Sequence, residues 1–475
     1  MGKLHILMIP YPVQGHVIPF MQLAQSLAKY GFKITFAISE SSHMCILNSL
    51  SGKNSLHDQI HLISVLDESE SGDKNVPGSI FEAIFKVMPR KIEKLIQENN
   101  TSEVDQISCV IADLCFGWAM ELAEKMRIKR ATFITAAAAN LLLGFNIPEL
   151  IDDGIIDNDG TPAIKDRMFQ FEPTMPIMNS SDLVWTSMGN LTMQKLIFDM
   201  MVHNNKAMKS ADWLICNSTY DLEPGAFKLA PEIVPIGPLL FSNYLELSTL
   251  PPEAEPSISS KESPNSQAGS FLPEDFTCLN WLDQQPLCSV VYVAFGSTTI
   301  FNEAQFQELS LGLELSNKPF LWVVRTNATN AKINIFLKSF VDRIGRQKGK
   351  IVSWAPQQKV LSHPSVGCFV SHCGWNSTIE AISNGVPILC WPYFADQFMN
   401  KSYICDIWKV GLGLQKVDNE IISCGEIKDK MEHLLGNDAF KKRALKLKEM
   451  TMNSVKEGGR SRQNLINFFE WIKSS

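Results

Sequence analysis

Long apolar segments and an excess of basic residues are both missing from this sequence of 475 residues. No apolar run reaches the roughly 18 residues that a membrane-spanning helix needs, which disfavours an integral membrane protein. Lys and Arg number 43 against 50 Asp and Glu, and the resulting net charge of −7 argues against a nucleic-acid-binding protein. The hydrophobic share of 45% and the charged share of 20% are typical of a soluble globular protein.

Paired cysteine motifs and a secretory signal are also lacking. The 11 cysteines include no Cys-x-x-Cys. Pro10, Pro12 and Gln14 interrupt what would be the apolar part of a signal peptide. We therefore expect reduced thiols and a cytoplasmic location.

The glycine fingerprints of two common nucleotide cofactors are missing as well. A dinucleotide-binding turn has the pattern Gly-x-Gly-x-x-Gly, and the nearest approach, Gly411-Leu412-Gly413, lacks the third glycine. The segment GRQKGK at 345–350 has the wrong spacing for a P-loop. Both NAD and ATP are therefore disfavoured.

Strand-like and helix-like segments alternate along the chain in two series. LHILMIP, FKITFAIS and QISCVIADL are strand-like in the first series, and SVVYVAFG, PFLWVVR and VGCFVSH in the second. A Ser-, Pro- and Glu-rich segment at 241–270 separates them and is typical of a linker or long loop. The pattern predicts two α/β domains, 1–240 and 271–455, each with a parallel sheet, followed by a C-terminal helix in 456–475.

His16 follows the first predicted strand, in the segment VQGHVIPF. Ligands of open parallel sheets bind beyond the carboxyl ends of the strands, so this position points His16 toward a binding cleft. A lone histidine is also compatible with an ordinary loop or helix-start residue. Asp113, at the end of the strand-like VIAD, is well placed to cap the next helix.

The stretch from Trp354 to Gln397 holds a strand, the turn His372-Cys373-Gly374, and the start of a helix. Backbone N–H groups at a helix N-terminus favour an anion, and Asn376 and Ser377 add polar side chains, although either could simply cap the helix. Ser297 lies in a second turn of this kind, FGSTT. Two such turns predict a diphosphate site.

The same stretch strongly resembles the signature box of the plant UDP-sugar-dependent glycosyltransferases of family 1. It has that box's length, the initial Trp354, the core HCGWNS, Glu380 and the final Asp396-Gln397. The Gly-His-x-x-Pro motif around His16, IGPL at 236–239 and the FGS turn extend the resemblance over the whole chain. The resemblance implies a GT-B fold: two facing Rossmann-like domains with an interdomain cleft, the first binding the acceptor, the second UDP-sugar, and the C-terminal helix returning to the first.

The resemblance also implies a set of donor contacts. The uracil is expected at Trp354 and Ala355, and the ribose at Glu380 with Gln357 nearby. The diphosphate is expected at Ser297, His372, Asn376 and Ser377. The sugar is expected at Trp375, Asp396, Gln397 and Thr135.

For catalysis, the resemblance implies that His16 is the general base and Asp113 its orienting carboxylate. Direct displacement at the anomeric carbon then inverts its configuration, with no cofactor and no metal. The chain departs from many relatives at Ala137-Ala138, where they carry Gly-Pro, which affects the loop after Thr135 and hence the fit of the acceptor.

The acceptor is expected to be a lipophilic small molecule of the flavonoid, phenylpropanoid or terpenoid class, near Phe85, Phe116 and Leu142. The resemblance implies glucose rather than galactose as the sugar, because the family associates a terminal Gln, here Gln397, with glucose. The absence of Arg or Lys among the expected sugar contacts disfavours UDP-glucuronate. We expect a monomer with no nucleic-acid partner and no integral membrane segment. Two alternatives remain, a UDP-sugar epimerase on the same fold and a non-catalytic small-molecule-binding protein.

Overall fold

The computed structural model describes residues 3–50, 57–66, 83–101, 105–240, 270–325, 329, 331–345, 347–416 and 421–474. These divide into two compact units. Unit 1 comprises Met1–Met175, Asn179–Leu272 and Asn453–Ser475, and unit 2 comprises Pro176–Met178 and Pro273–Met452. The predicted linker 241–270 lies outside the described residues except for Ser270. The acceptor and donor roles assigned to the two domains stay predictions.

Unit 1 is built on a seven-stranded sheet in the order β3-β2-β1-β4-β5-β8-β9, and every pairing in it is parallel. The strand order reverses between β1 and β4, which pair from His5↔Ile107 to Ile9↔Ala112. Reversal points of this kind are where open α/β sheets bind ligands. The strands of the first part of the chain are β1 His5–Ile9, β2 Lys33–Ser39, β3 Ile60–Leu66, β4 Ile107–Asp113, β5 Lys129–Ile134, β6 Met168–Phe169, β7 Met178–Asn179, β8 Trp213–Cys216 and β9 Ile233–Pro235, of which β6 and β7 form a separate pair.

The helices between these strands are α1 Gln14–Lys29, α2 Glu40–Leu50, α3 Met88–Asn99, α4 Gly117–Lys125, α5 Ala138–Phe145, α6 Ile147–Asp152, α7 Leu191–Met208 and α8 Pro224–Leu229, with a π-helical turn at Ala83–Val87 and a 3₁₀ turn at Ser180–Asp182. Buried apolar side chains of α1 to α4 belong to the same clusters as those of the strands.

The last helix of the chain also belongs to unit 1. Phe468 and Phe469 are buried in the same apolar cluster as Ile6 and Leu23. Lys129 adds a polar tie by donating from Nζ to the carbonyl oxygen of Trp471 at 2.7 Å. The helix is held there mainly by burial of its aromatic face.

Unit 2 has a six-stranded parallel sheet in the order β12-β11-β10-β13-β14-β15, and its order reverses between β10 and β13. Its strands are β10 Val290–Ala294, β11 Phe320–Val323, β12 Gly349–Val352, β13 Val366–Ser371, β14 Ile388–Cys390 and β15 Gly411–Gly413. The remaining helices are α9 Thr277–Leu282, α10 Glu303–Leu315, α11 Ala331–Ile344, α12 Gln357–Ser362, α13 Trp375–Asn384, α14 Gln397–Ser402, α15 Cys424–Gly436, α16 Asp438–Val455 and α17 Arg460–Lys473, with a π-helical turn at Tyr403–Ile407.

The predicted α/β alternation with parallel sheets is confirmed in both units. The glycine pair Gly411 and Gly413 lies in the edge strand β15, and a Cβ on Gly411 would come within 2.2 Å of the carbonyl oxygen of Ile388. That glycine therefore permits close strand pairing. Within the described residues, no helix is both long and apolar enough to span a bilayer.

Candidate active site

The reversal point of the first sheet brings together residues from three strand ends. His16 lies in the first turn of α1, after β1, whereas Asp113 is the last residue of β4 and Thr135 directly follows β5. His16 and Asp113 are 97 positions apart in the chain, and adjacent parallel pairing of β1 and β4 makes them neighbours.

The three side chains meet at one ring nitrogen. Nδ1 of His16 lies 2.7 Å from Oδ2 of Asp113 and 3.0 Å from Oγ1 of Thr135. The Asp113 side chain is fully buried, while that of His16 is 25% exposed. Oδ1 of Asp113 accepts the backbone N–H of Cys115 at 2.9 Å, which fixes the carboxylate. A carboxylate on Nδ1 holds the proton there and leaves the basic lone pair of neutral imidazole on Nε2.

Tyr11 and Cys115 complete the surroundings of the dyad. The Tyr11 ring lies 5.3 Å from that of His16, and burial raises the pKa of its phenol well above the ordinary value. Burial and the charge of Asp113 likewise raise the pKa of the Cys115 thiol well above its usual range. Nδ1 of His16, a carboxylate oxygen of Asp113 and Sγ of Cys115 lie within 4.8 Å of one another. Because metal ligation requires a thiolate and Nδ1 is already bound to Asp113, this trio is poorly suited to a metal ion.

The predicted acceptor residues occupy different surroundings. Phe116 is fully buried, and its ring lies 5.8 Å from that of Tyr11. It therefore packs against Tyr11 and has no exposed surface of its own. Leu142 is only 3% exposed in α5. Phe85, in the π-helical turn, is half-buried against the same apolar cluster as Phe116. Tyr11, which was not predicted from the sequence, is an aromatic residue in contact with His16.

A buried acid behind Thr135 was also missed. Glu223 is 0% exposed and accepts the backbone N–H groups of Ala138 and Ala139, each at 3.0 Å, and the hydroxyl of Ser218 at 2.6 Å. Its carboxyl therefore caps α5, and burial raises its pKa. The alanines that replace the Gly-Pro pair thus begin a helix held by Glu223, a link too distant in sequence to infer from spacing.

The reversal point of the second sheet places two turns side by side. The turn with Ser297 follows β10, and His372 follows β13. The His372 ring fits between two glycines, since a Cβ at Gly296 or Gly374 would lie 2.7 or 2.6 Å from its Nε2. Gly296 also has a φ of +67°, so both conformation and space require glycine there. Burial, aided by the charge of Arg325, lowers the pKa of His372 to about 4.

The helix after His372 presents its N-terminus at these turns. Its cap Gly374 has extended backbone, and α13 begins at Trp375, followed by Asn376 and Ser377. The Trp375 side chain is only 3% exposed, with its ring 6.4 Å from that of Trp408. A neutral histidine N–H, polar side chains and helix N–H groups together suit an anion.

A hydrogen-bond network joins the start of α12 to the middle of α13. Nε2 of Gln357 donates to Oε2 of Glu380 at 2.6 Å and to Oγ of Ser377 at 3.0 Å. Gln358, which was not predicted, donates to Oε1 of Glu380 at 3.2 Å. The Glu380 carboxylate is thus buried but oriented by two amides.

The residues predicted to bind the uracil, Trp354 and Ala355, come just before this network in the chain. Trp354 is half-buried after β12, and within the described residues no other aromatic ring stacks on it. Its carbonyl oxygen accepts the N–H of Asp275 at 2.9 Å, which fixes the backbone beside the buried Ala355. An indole held in this way offers a stacking face for a flat ring.

The last two residues of the box lie at the start of α14. Oε1 of Gln397 accepts the N–H groups of Tyr393 and Phe394 at 2.8 and 3.1 Å, which directs its NH₂ group the other way. Asn400, missed by pattern reading, donates to Oδ2 of Asp396 at 3.0 Å and to the carbonyl oxygen of Cys373 at 2.9 Å. Asn400 therefore ties Asp396 to the turn after β13, and its position one helical turn after Asp396 was the available signal.

Comparisons with known proteins agree with this arrangement. A family model described as "UDP-glucoronosyl and UDP-glucosyl transferase" matches residues 274–455. UDP-glycosyltransferase 83A1 of Arabidopsis thaliana is 45% identical over 100% of this chain and 98% of its own. The structure of Phytolacca americana UGT2 complexed with UDP-2fluoro-glucose and pterostilbene is 27% identical over 99% of both chains, with a TM-score of 0.79.

A complex of 3,4-dichloroaniline with a Polygonum tinctorium UDP-glucosyltransferase capable of glucosylating indoxyl is 25% identical over 100% of both chains, with a TM-score of 0.81. These relatives are glycosyltransferases, so the epimerase alternative has no support. With two parallel-sheet α/β units, as the GT-B fold class has, and a relative 45% identical along its whole length, the chain belongs to the plant family 1 UDP-glycosyltransferases.

Proposed function

We propose that this UDP-glycosyltransferase transfers glucose from UDP-glucose to a hydroxyl of a lipophilic small molecule with inversion, using His16 as general base and Asp113 as its orienting carboxylate. The 2.7 Å contact between Nδ1 of His16 and Oδ2 of the buried Asp113 carries the proposal. A base beside a fixed carboxylate has little use in a protein that only binds its ligand.

The dyad activates the acceptor in one step. Nε2 of His16 takes the hydroxyl proton as the acceptor oxygen attacks the anomeric carbon. The bond from that carbon to the β-phosphate oxygen breaks, and its electron pair leaves with UDP. Asp113 stabilises the imidazolium that forms, and general-base catalysis of this kind contributes roughly 10²–10⁴-fold. Because the attack and the departure occur on opposite faces, the configuration inverts.

Unit 2 supplies the donor contacts in this proposal. Trp354 stacks on the uracil, while Glu380 accepts the ribose hydroxyls with Gln357 beside it. Since Glu380 already accepts from Gln357 and Gln358, it reaches the ribose in a fixed orientation. The diphosphate binds at Ser297, His372, Asn376 and Ser377.

The sugar is recognised by Asp396 and Gln397, whose NH₂ group points away from the two backbone N–H groups that its Oε1 accepts. We assign the contact of Trp375 to its backbone, because its indole is buried. Thr135, whose Oγ1 lies 3.0 Å from Nδ1 of His16, is proposed as a further contact of the sugar.

A lipophilic acceptor is supported by the ring of Tyr11 next to His16 and by the apolar cluster behind it. The small molecules in the related structures, pterostilbene and 3,4-dichloroaniline, are aromatic. We therefore propose aromatic alcohols and phenols first among the possible acceptors.

The test is incubation with UDP-glucose and a mixed panel of flavonoids, phenylpropanoids and terpenoids, read by mass spectrometry. We expect a mass gain of one hexose on at least one panel member and an equal amount of UDP. The exposed His203 provides a matched control, since His203→Ala should keep the activity that His16→Ala loses. Binding of UDP-glucose and panel members without any transfer would overturn the proposal in favour of a binding protein.

A further inference from the structure

Arg325 lies behind the turn that contains Ser297 and was not singled out by its sequence. It follows β11, and its side chain is only 8% exposed. Its two terminal guanidinium nitrogens donate to the carbonyl oxygens of Ser297 and Thr299, one to each. The guanidinium therefore holds the backbone of this turn in a fixed shape.

The charge of this guanidinium has no acidic counterpart in the part of the chain that is described. Both of its hydrogen bonds go to neutral carbonyl groups, and no described carboxylate lies within ion-pair distance. The residues that follow it, from Thr326 to Ala331, include no Asp or Glu. A buried charge is costly unless an opposite charge compensates it. An anionic ligand beside the turn would supply that compensation.

The neighbouring histidine does not carry a positive charge of its own at neutral pH. The pKa of His372 is lowered to about 4 by burial and by Arg325, whereas an arginine stays protonated. The two turns thus combine one fixed cation with neutral donors. The Thr299 hydroxyl, buried with no hydrogen-bond partner among the described residues, adds a further polar group to the same turn.

We propose that Arg325 is a positioning residue for the donor's diphosphate: it holds the Ser297–Thr299 turn by its two carbonyl contacts and supplies the positive charge that balances the departing UDP. This inference rests on the proposed function. When the bond to the anomeric carbon breaks, the electron pair stays on the β-phosphate oxygen and UDP gains one negative charge. A fixed cation near this oxygen favours the transition state over the bound donor.

Calorimetric binding of UDP and uridine to Arg325→Gln, Arg325→Lys and a control variant tests the idea. Arg343→Gln is the control, because Arg343 lies on α11 of the same unit and forms an exposed pair with Glu314 at 2.7 Å. We expect Arg325→Gln to weaken UDP binding by roughly 10- to 100-fold and uridine binding by less than about threefold. Arg325→Lys should recover part of the UDP affinity, and Arg343→Gln should match the wild type.

Equal losses for UDP and uridine would show a merely structural role, and an unchanged UDP affinity would remove any role; either result overturns the inference. If Arg325→Gln fails to fold by circular dichroism, Arg325→Lys decides: a preference for UDP over uridine within about threefold of the wild type supports the charge, and loss of that preference refutes it. A wild-type protein that does not bind UDP more tightly than uridine would instead contradict the proposed donor site itself.

Discussion

Each unit has a histidine that follows a central strand, and the two histidines have neighbours of opposite charge. In unit 1, His16 contacts the Asp113 carboxylate at the end of β4. In unit 2, His372 lies beside the turn that the Arg325 guanidinium holds. The two sheets have the same strand order around their reversal points. The carboxylate on Nδ1 of His16 leaves the basic lone pair of the neutral ring on Nε2, which suits the proposed proton acceptor. Burial, aided by a nearby cation, keeps the other imidazole neutral, as an N–H donor. The comparison indicates that equivalent histidines are suited to different chemistry by their burial together with the neighbouring charge.

Removing the imidazole of His16 should cause the largest loss of activity. We expect His16→Ala to lose roughly 10²–10⁴-fold in kcat on hydroxyl acceptors, the usual share of a general base. UDP affinity, measured by calorimetry, should stay at the wild-type value because the proposed contacts of UDP itself lie in unit 2. His203→Ala serves as the control for loss of a histidine from unit 1. A kcat for His16→Ala within about threefold of the wild type would contradict the role of His16 as the base.

The carboxylate of unit 1 should matter only through His16. Asp113→Ala alone should lower kcat by a large factor, whereas adding it to His16→Ala should lower kcat much less, since the two residues act as a unit. Initial rates of the two single variants and the double variant provide the cycle. Fully additive losses would mean that Asp113 and His16 act independently.

In unit 2, a substitution that crowds the ring of His372 should weaken binding of the donor. A Cβ at Gly296 would lie 2.7 Å from Nε2 of His372, so Gly296→Ala must displace the ring. We expect UDP affinity to fall by roughly 10- to 100-fold, as displacements of about 1 Å can do. Gly345→Ala is matched in conformation, with a φ of +80° but no heavy atom within 4 Å of the added Cβ. Equal UDP affinities in the two variants would count against a role of His372 in donor binding.

The proposed sugar contacts in unit 2, Asp396 and Gln397, should give a moderate preference among UDP-sugars. Competition at equal concentrations should favour UDP-glucose over UDP-galactose by about tenfold, because an epimer still satisfies most of its hydrogen-bond partners. UDP-glucuronate should lose by about 100-fold or more, since its carboxylate would face Asp396. Product masses from one working acceptor give both ratios. Dominant transfer of galactose or glucuronate would contradict the roles of Asp396 and Gln397.

The burial of His372 should also make the free energy of unfolding depend on pH. The pKa of His372 is about 4 in the folded chain and about 6.5 when unfolded, so the unfolded chain binds an additional proton between these values. The free energy of unfolding should therefore fall as pH drops from about 6.5 to about 4, by at most about 3 kcal/mol from this group. His372→Asn should show a flatter decline in thermal unfolding over this interval. An unchanged decline would contradict the lowered pKa, with His203→Asn as the control.

Pattern reading was most successful where one segment contains a whole site. The strand–turn–helix around His372 to Glu380 is contiguous, so its elements and their order could be predicted from local sequence. Strand β3 was missed because only part of it is buried, and β15 because three residues with two glycines lack a strand pattern. Local patterns reflect burial and turn residues, and edge strands such as β3 and β15 give a weak burial pattern.

The amino-acid sequence by itself determined the α/β class, the turns after the central strands and the residues available at each turn, because periodicity and glycine placement act over a few neighbouring residues. Only the tertiary structure decided that Asp113 and Thr135 meet the same nitrogen of His16, that Glu223 caps α5 and that Arg325 holds the Ser297 turn. These contacts depend on strand order, which is set by packing across the whole sheet. The lowered pKa of His372 depends on burial, which no local pattern encodes.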